Sequence, residues 1–231
     1  MAKPAPLCAV HRAGRLVVCA AAVRTRAGGG AGAIATAEEP VVAVPAIPYR
    51  GIQPFRYADH ALFFAREEET RLLTSLVAVY RGVFLYGDSG NGKSSLVNAG
   101  LLPQIRELGF EAVRVRVQPR AGEELVLEQI AISDAGGDVL PCVLAPEHEA
   151  GSQVVLSIDE FQQRLRMTSR QERALIVFDQ FEEILTLFDD AAGVQRALVE
   201  MILGLLRDDA LPVKVLFAFR EDYLGRVKRL L

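Results

Sequence analysis

The residue pattern with the clearest chemistry is a glycine-rich stretch that ends in a lysine and a serine. It matches the spacing G-x-x-x-x-G-K-[ST], and it lies between a short apolar run, residues 83–86, and a helical pattern that begins at Lys93. Glycines let successive backbone N–H groups point inward at phosphate oxygens, and a helix N-terminus adds positive potential there. The stretch therefore predicts a phosphate-binding loop, composed of Gly87, Asp88, Ser89, Gly90, Asn91, Gly92, Lys93 and Ser94.

The last residues of this loop indicate a polyphosphate that carries a metal ion. Lys93 can reach the β and γ phosphates as a mobile charge, and the hydroxyl of Ser94 can ligate Mg²⁺. We expect Ser95, the next residue of the helix, to contact the nucleotide as well. The predicted ligand is a nucleoside triphosphate with Mg²⁺. Because the chain contains no N-K-x-D sequence, the usual guanine-reading element, ATP is favoured over GTP.

Acidic residues follow a second apolar run, residues 174–178. Ligands of parallel α/β sheets bind beyond the carboxyl ends of the strands, so we predict that Asp179 holds Mg²⁺ through water as the Walker B residue. Glu182 and Glu183 lie three and four residues further on. Either one of them orients or deprotonates the attacking water, or both are first-turn residues that the helix dipole favours.

A cation ends the last apolar run, residues 213–219. Arg220 at this position can contact the γ-phosphate and report whether that phosphate is present. It can equally form a surface ion pair with Glu221 or Asp222. The sequence leaves both roles open.

Apolar runs that alternate with amphipathic segments predict an α/β fold with a parallel sheet. The segment at residues 112–118 alternates valines with Arg114 and Arg116, which favours an edge strand with one wet face. Asp59 is a candidate cap for a helix that is broken once, and Ser157 with Glu160 forms a capping box. The predicted strands are residues 83–86, 112–118, 174–178 and 213–219, and the predicted helices include residues 123–132, 157–167 and 194–206.

Residues 1–46 have a composition unlike that of the remaining chain. Up to residue 37 they contain five cations and no acid, and they are rich in alanine and glycine. We expect a disordered leader, with a targeting peptide or an extension from a start codon placed too early as alternatives. The folded domain is predicted over residues 47–231, with a loop at 134–153.

Composition argues against several classes of function. A net charge of −3 with no basic face beyond the leader makes a nucleic-acid partner unexpected. The longest apolar run of the leader, residues 16–23, is too short for a membrane helix, and we expect a cytoplasmic protein. The three cysteines and three histidines are too widely spaced for a disulfide framework or a zinc site.

Five motifs in order along residues 48–231 resemble those of the novel STAND NTPases. Members of this family are bacterial signal-transducing ATPases in which the NTPase module couples a sensing region to an effector. The motifs are Pro48-Tyr49-Arg50-Gly51-Ile52-Gln53-Pro54-Phe55, Phe63-Phe64-Ala65-Arg66-Glu67, Gly87 to Ser94, Asp179-Gln180-Phe181-Glu182-Glu183 and Arg220-Glu221-Asp222-Tyr223.

The resemblance implies roles for further residues. Arg66 would lie beside the nucleotide, and Arg220 would belong to a sensor strand. The sequence departs from the family at Ala65, where glycine is usual and allows a close backbone approach. It also departs at Gln180, where many related ATPases have their catalytic glutamate. Similar modules of the NACHT type place acids three and four residues after the aspartate, as Glu182 and Glu183 are here.

The resemblance also implies the architecture, a three-layer P-loop NTPase sandwich with the strand order 2-3-4-1. A fifth strand beyond the first is expected to be missing, so the chain would stop within the NTPase core. The implied partners are other domains of a longer STAND protein or a second copy. Three functional hypotheses follow: a slowly ATP-hydrolysing switch, an ATP- or ADP-holding interaction module without turnover, and a truncated fragment without function.

Overall fold

A computed structural model describes most of the predicted folded domain and part of the leader. The described residues are 10–13, 16–24, 51–118, 126–130, 144, 154–168, 173–186 and 192–231, with residues 10–13, 16–24 and 126–130 described for the backbone alone. Residues 48–50 and most of the predicted loop at 134–153 lie outside this set.

One mixed sheet organises the described chain. Four of its strands are parallel neighbours, in the order β4 (Phe110–Gln118), β7 (Arg173–Phe178), β8 (Val213–Arg220) and β3 (Tyr80–Gly87). Nearly every residue of β3, β7 and β8 is buried, which explains why these strands read as continuous apolar runs. The predicted α/β class with a parallel sheet is confirmed. The other described strands are β1 (Val10–Ala13), β2 (Leu16–Arg24), β5 (Val126–Ile130) and β6 (Val154–Ser157).

An antiparallel hairpin from the leader extends the sheet beyond the phosphate-loop strand. β2 pairs along the outer edge of β3, and β1 pairs with β2. The prediction of a disordered leader is therefore wrong for residues 10–13 and 16–24. The place beyond the first parallel strand, where a strand was expected to be missing, is occupied by β2. Exposed strand edges offer unpaired N–H and C=O groups, and pairing with β2 satisfies them.

A second antiparallel extension lies beyond β4. β5 pairs with β4, and β6 pairs with β5. Residues 126–130 thus form a strand, whereas a helix was predicted over 123–132. β4 has a neighbour on each side, so the predicted edge position is wrong. Its expected wet face is covered as well, since Arg114 is buried.

Helices cover both faces of the sheet and enclose two apolar cores. One core lies beneath α1 and α3 and includes Leu101 and Leu175. The other lies beneath α4, α6 and α7 and includes Phe178 and Phe217. None of the described helices is long and apolar enough to cross a membrane. They are α1 (Glu67–Val79), α2 (Lys93–Ser95), α3 (Leu102–Glu107), α4 (Ile158–Thr168), α5 (Glu183–Thr186), α6 (Ala192–Arg207) and α7 (Leu224–Leu230), with a π-helical segment, Leu96–Leu101, between α2 and α3.

The residues before α1, which we call the N-terminal segment (residues 51–66), contain the predicted helix break. Residues Tyr57–Leu62 form a 3₁₀ helix, and Arg66 caps α1 after an interruption. Asp59 lies inside the 3₁₀ helix and not at its cap, and its carboxylate accepts the backbone N–H of Arg56 at 2.7 Å. At the break, Ala65 has a φ of +62°.

The predicted capping box at the start of α4 is confirmed. The backbone N–H of Glu160 donates to the hydroxyl oxygen of Ser157 at 3.2 Å, and the backbone N–H of Ser157 donates to the carboxylate of Glu160 at 2.9 Å. Two of the orphan N–H groups at a helix start are thereby satisfied, so α4 begins where this local signal placed it.

Candidate nucleotide site

The phosphate loop connects the carboxyl end of β3 to α2. Gly90 and Gly92 have φ values of +82° and +78°, which favour glycine. A Cβ added to either residue would meet no atom within 4 Å, so the backbone conformation and not crowding requires glycine. The loop residues therefore adopt the tight turn that the sequence predicted ahead of a helix.

The Lys93 ammonium lies over the loop that precedes it. Its Nζ donates to the carbonyl oxygens of Gly87 and Asp88 at 2.8 and 2.9 Å. Burial lowers the pKa of Lys93, and the neighbouring carboxylates of Glu182 and Asp179 oppose that shift. The two carbonyls thus hold the cation at the mouth of the loop, beside two acids.

Asp179 follows β7 and is buried. Its Oδ2 accepts a hydrogen bond from Nη2 of Arg114 at 2.5 Å, and its Oδ1 accepts the backbone N–H of Gln180 at 3.1 Å. Gln180 has a φ of +54°, so the chain turns sharply as it leaves the strand. The ion pair fixes the carboxylate in one orientation at the carboxyl end of the sheet.

Glu182 and Glu183 have different surroundings. Glu182 lines the same cavity as Lys93 and Asp179, and its Oε2 is buried without a hydrogen-bond partner among the described residues. Burial raises the pKa of Glu182, although the Lys93 ammonium works against the rise. Glu183 begins α5 and is not one of the residues that line the cavity.

Arg220 ends β8 and lines the cavity from the strand next to β3. Its guanidinium also pairs with Asp222, with Nη2 to Oδ2 at 2.8 Å and Nε to Oδ1 at 3.2 Å. The side chain is about half exposed, at 49 %. The sequence left two roles open, a contact with the nucleotide and a surface ion pair. Arg220 has the surface ion pair, and it also lines the cavity in which the nucleotide contact was expected.

These side chains surround one cavity of about 670 Å³ at the carboxyl edge of the sheet. Six of the predicted nucleotide contacts line this cavity: Ser89, Gly90, Gly92, Lys93, Ser94 and Ser95. Gly87 and Asp88 do not line it, but their carbonyls accept hydrogen bonds from Lys93. The lining consists of residues 51–55, Ser89, Gly90, residues 92–95, Asp179, Gln180, Glu182 and residues 218–220.

Arg66 and Asn91 border a second cavity of about 310 Å³, which shares Phe55, Gly92 and Ser95 with the lining of the larger cavity. Its remaining walls are largely apolar and come from the N-terminal segment, the phosphate loop and the helix that follows the loop. Arg66 pairs with Glu69 through Nη1 at 3.1 Å, and it is not among the residues that line the larger cavity. The lining of the smaller cavity is Phe55, Leu62, Phe63, Phe64, Arg66, Asn91, Gly92, Ser95 and Leu96.

A family model described as Novel STAND NTPase 1 matches residues 48–230. The chain belongs to this family. Comparison with curated proteins and with solved structures finds no match. The resemblance inferred from the five motifs is thereby confirmed, and residues 48–230 are a STAND NTPase module.

The N-terminal segment of this STAND module is attached directly to the loop helix. The hydroxyl oxygen of Ser95 accepts the backbone N–H of Phe55 at 3.1 Å, and Nδ2 of Asn98 donates to the Phe55 carbonyl at 2.9 Å. Further along, a Cβ on Gly100 would lie 2.5 Å from Oγ1 of Thr70, so glycine there lets α1 approach the helix closely. The predicted nucleotide contact Ser95 thus also anchors the segment.

Magnesium fits the donor set of this STAND site. Mg²⁺ keeps several waters and takes one or two protein oxygens plus phosphate oxygens. Ser94 and Asp179 offer a hydroxyl and a carboxylate to one cavity, and Glu182 adds a buried carboxylate oxygen without a partner in the described chain. The described residues contain no group of three or more histidines, cysteines or acids suited to a metal, so a metal cage made wholly of protein side chains is not formed there.

Sequence reasoning missed Arg114 and Asn98. Arg114 was expected on a wet strand face, and its partner Asp179 directly follows another strand, 65 residues further along the chain. Only the pairing of β4 with β7 brings the two together. Asn98 lies one helical turn after Ser95, and this spacing on one face is the signal that could have found it.

Proposed function

We propose that this chain is the ATP-binding module of a STAND-type signalling protein and works as a switch that hydrolyses ATP slowly. The observation that carries the proposal is the convergence of Lys93, Asp179, Glu182 and Arg220 on one cavity beside the phosphate loop. These residues come from two strand ends, those of β7 and β8, and from one helix start, as a site at the carboxyl edge of a parallel sheet requires.

Phosphate binding follows from the loop and its lysine. The N–H groups of the loop and the start of its helix favour anions without any side chain. Lys93, which donates to two loop carbonyls, can instead donate to phosphate oxygens nearby, because a charged acceptor forms the stronger hydrogen bond. Ser94 and Asp179 would hold Mg²⁺, which when bound neutralises charge that develops on the phosphates.

Turnover is assigned to Glu182 in this proposal. Its carboxylate lines the cavity, its Oε2 has no partner in the described chain, and burial raises its pKa. A carboxylate with a raised pKa accepts a proton from water more readily, and Glu182 is therefore the general base. Arg220 would then exchange its surface partner Asp222 for the γ-phosphate and thereby report the nucleotide state.

The smaller cavity is assigned to the adenine base. Its walls include Leu62, Phe63 and Leu96, and Phe63 packs edge-to-face on Phe55 with ring centroids 5.6 Å apart. Apolar contact combined with backbone groups suits adenine, and no guanine-reading motif is present in the sequence. We expect ATP to displace a fluorescent ATP analogue more effectively than GTP does. Equal displacement by the two nucleotides would contradict this assignment.

Calorimetric titration of Lys93→Ala with Mg·ATP tests the proposal. Loss of a charge-assisted phosphate contact should weaken binding by about 10- to 150-fold. Lys228→Ala is the matched control, because Lys228 is exposed on α7 and should bind Mg·ATP as the parent does. Parent-like affinity in Lys93→Ala would refute the phosphate-loop assignment.

Single-turnover hydrolysis separates the two glutamates. Glu182→Gln preserves size and the ground-state contacts, so ATP affinity should be retained while the hydrolysis rate falls about 100-fold or more. Glu183→Gln removes the same charge one residue further on, where the side chain does not line the cavity, and its rate should stay near that of the parent. The reverse pattern would transfer the role to Glu183.

A second candidate is an ATP- or ADP-holding interaction module without turnover. It is favoured by Gln180, which lines the cavity directly after Asp179, where related ATPases have a glutamate. Failure of the parent to cleave bound ATP over hours would favour this candidate. In either case we propose a cytoplasmic protein whose partners are other domains of a STAND protein or further copies of it.

A further inference from the structure

Arg114 is a buried cation that the proposed ATP chemistry does not use. It is 9 % exposed, it lies within β4, and Nη2 contacts Oδ2 of Asp179 at 2.5 Å. Its Nε has no hydrogen-bond partner among the described residues. Burying an arginine that has an unsatisfied N–H lowers the stability of the fold, and the ion pair with Asp179 offsets that loss.

The position of Arg114 is set by the sheet and not by a flexible loop. β4 and β7 are parallel neighbours, and Arg114 pairs in register with Val177, two residues before Asp179. The guanidinium therefore reaches the carboxylate from a backbone that is hydrogen-bonded on both sides. Asp179 uses its other oxygen to accept the N–H of Gln180, so both oxygens are oriented before any ligand binds.

The charges around Asp179 make this ion pair relevant to a metal. Lys93 and Arg220 are further cations at the cavity, and Glu182 is the other acid. A guanidinium in contact with Asp179 neutralises much of the negative charge that would attract a divalent cation. Each carboxylate oxygen nevertheless retains a free lone pair, so a hydrated metal ion can share the group with Arg114.

We infer that Arg114 is a positioning residue that sets the Mg²⁺ concentration needed for ATP binding. It holds the Asp179 carboxylate in one orientation at the carboxyl edge of the sheet, and its positive charge weakens the attraction of that carboxylate for Mg²⁺. The magnesium requirement then depends on this residue, although Arg114 itself touches neither metal nor nucleotide. The inference rests on the proposed ATP-binding function and extends it to regulation of the same site.

The test measures ATP binding by the parent and its variants over a range of Mg²⁺ concentrations. Arg114→Met removes the charge, and the half-saturating Mg²⁺ concentration should fall about 10-fold. Arg114→Lys keeps the charge, and its value should stay near that of the parent. Arg116→Met is the matched control. It also removes an arginine from this face of β4, but Arg116 has no ion pair with Asp179 among the described contacts.

Thermal unfolding without nucleotide provides a readout independent of activity. Arg114→Met should lower the midpoint, because Asp179 is left buried without its cation. The double variant Arg114→Met with Asp179→Asn should recover most of that loss, as a double-mutant cycle requires for a direct pair. If Arg114→Met does not fold, Arg114→Gln takes its place in the Mg²⁺ titration, because it keeps a donor and loses the charge.

The outcomes distinguish the inference from the proposal beneath it. A parent that binds no ATP at any Mg²⁺ concentration removes the proposed function. If the parent binds ATP, the inference is overturned when Arg114→Met and its glutamine substitute need as much Mg²⁺ as the parent, or more. It is also overturned when Arg116→Met gives the same decrease, because net charge and not the Arg114 contact would then be responsible.

Discussion

The two edges of the parallel sheet both bury cations, but the cations bond to different partners. At the amino edge, Nη1 of Arg81 donates to three carbonyls at the end of α6, those of Leu205, Asp208 and Leu211, at 3.4, 2.7 and 3.0 Å. Its Nη2 also lies 3.5 Å from Oδ1 of Asp209, which is exposed. Lys214, also buried, donates to the Val79 carbonyl at the end of α1 at 3.4 Å.

At the carboxyl edge the cations face carboxylates and a cavity. Lys93 lies near Glu182 and Asp179, and Arg114 contacts Asp179 directly. The two strained non-glycine residues of the described chain, Ala65 and Gln180, are also on this side, next to the two cavities. Burial of charge therefore does not by itself mark a functional site. The cations of the carboxyl edge differ from Arg81 and Lys214 because they do not bond to carbonyls at the ends of helices.

The largest effect expected at the amino edge is loss of stability in Arg81→Met. Three carbonyls at the end of α6 would lose their donor, which should lower the free energy of unfolding by about 3 kcal/mol. Urea unfolding measures this change. ATP affinity of the folded variant should equal that of the parent, which is the opposite of what Lys93→Ala should show.

Arg207→Met is the control for that experiment. Arg207 is exposed at the last residue of α6, so its loss should change stability by less than about 0.5 kcal/mol. A weakened ATP affinity in Arg81→Met at unchanged stability would break the contrast between the edges.

Lys214→Met should have a smaller effect of opposite sign, with a defined pH dependence. Burial, reinforced by the charges of Arg81 and Arg173, lowers the pKa of Lys214 from 10.5 to about 8. Because the folded-state pKa is lowered, the protonated lysine costs stability below about pH 8, and this cost disappears as the pH rises toward 10.5.

Lys214→Met should therefore be more stable than the parent at about pH 7, by about 1 kcal/mol after loss of the Val79 contact. Paired urea titrations at this pH and near pH 10 measure the difference. The advantage of the variant should shrink at the higher pH. A difference that stays constant between the two conditions would mean that Lys214 is not held at a lowered pKa.

The smallest effect is expected for the strained residue Ala65. Ala65→Gly relieves an alanine at a φ of +62° and should stabilise the fold by about 0.5 kcal/mol. Ala78→Gly makes the same substitution at the penultimate residue of α1, where the backbone is helical, and should destabilise the fold by about 0.5 kcal/mol. Thermal unfolding of both variants gives the comparison, and equal destabilisation would show that no strain is stored at Ala65.

Local signals in the sequence predicted the parallel strands and the phosphate loop because their causes are local. Residues buried on both faces read as apolar runs, and Gly90 and Gly92 are required by their own backbone angles. β5 was mistaken for a helix because residues such as Glu123, Leu127 and Glu128 favour helices in isolation, whereas pairing with β4 decides the outcome.

Other features depend on contacts between distant parts of the chain. The leader strand β2 is read from composition as an unstructured extension, and its role appears only when it pairs with β3. The Arg114 and Asp179 pair requires the register of β4 against β7. The spacing after Asp179 allowed either Glu182 or Glu183 to line the cavity. Only the conformation of the turn after Asp179 shows that it is Glu182.

The attachment of Phe55 has a mechanical consequence. Ser95 and Asn98 hold the N–H and the carbonyl of this one residue from a single face of the helix that starts at Lys93. A tilt or rotation of that helix must carry Phe55 with it, because two hydrogen bonds resist both sliding and twisting. Residues 51–54, which lead into Phe55 and line the larger cavity, are therefore coupled to the orientation of that helix.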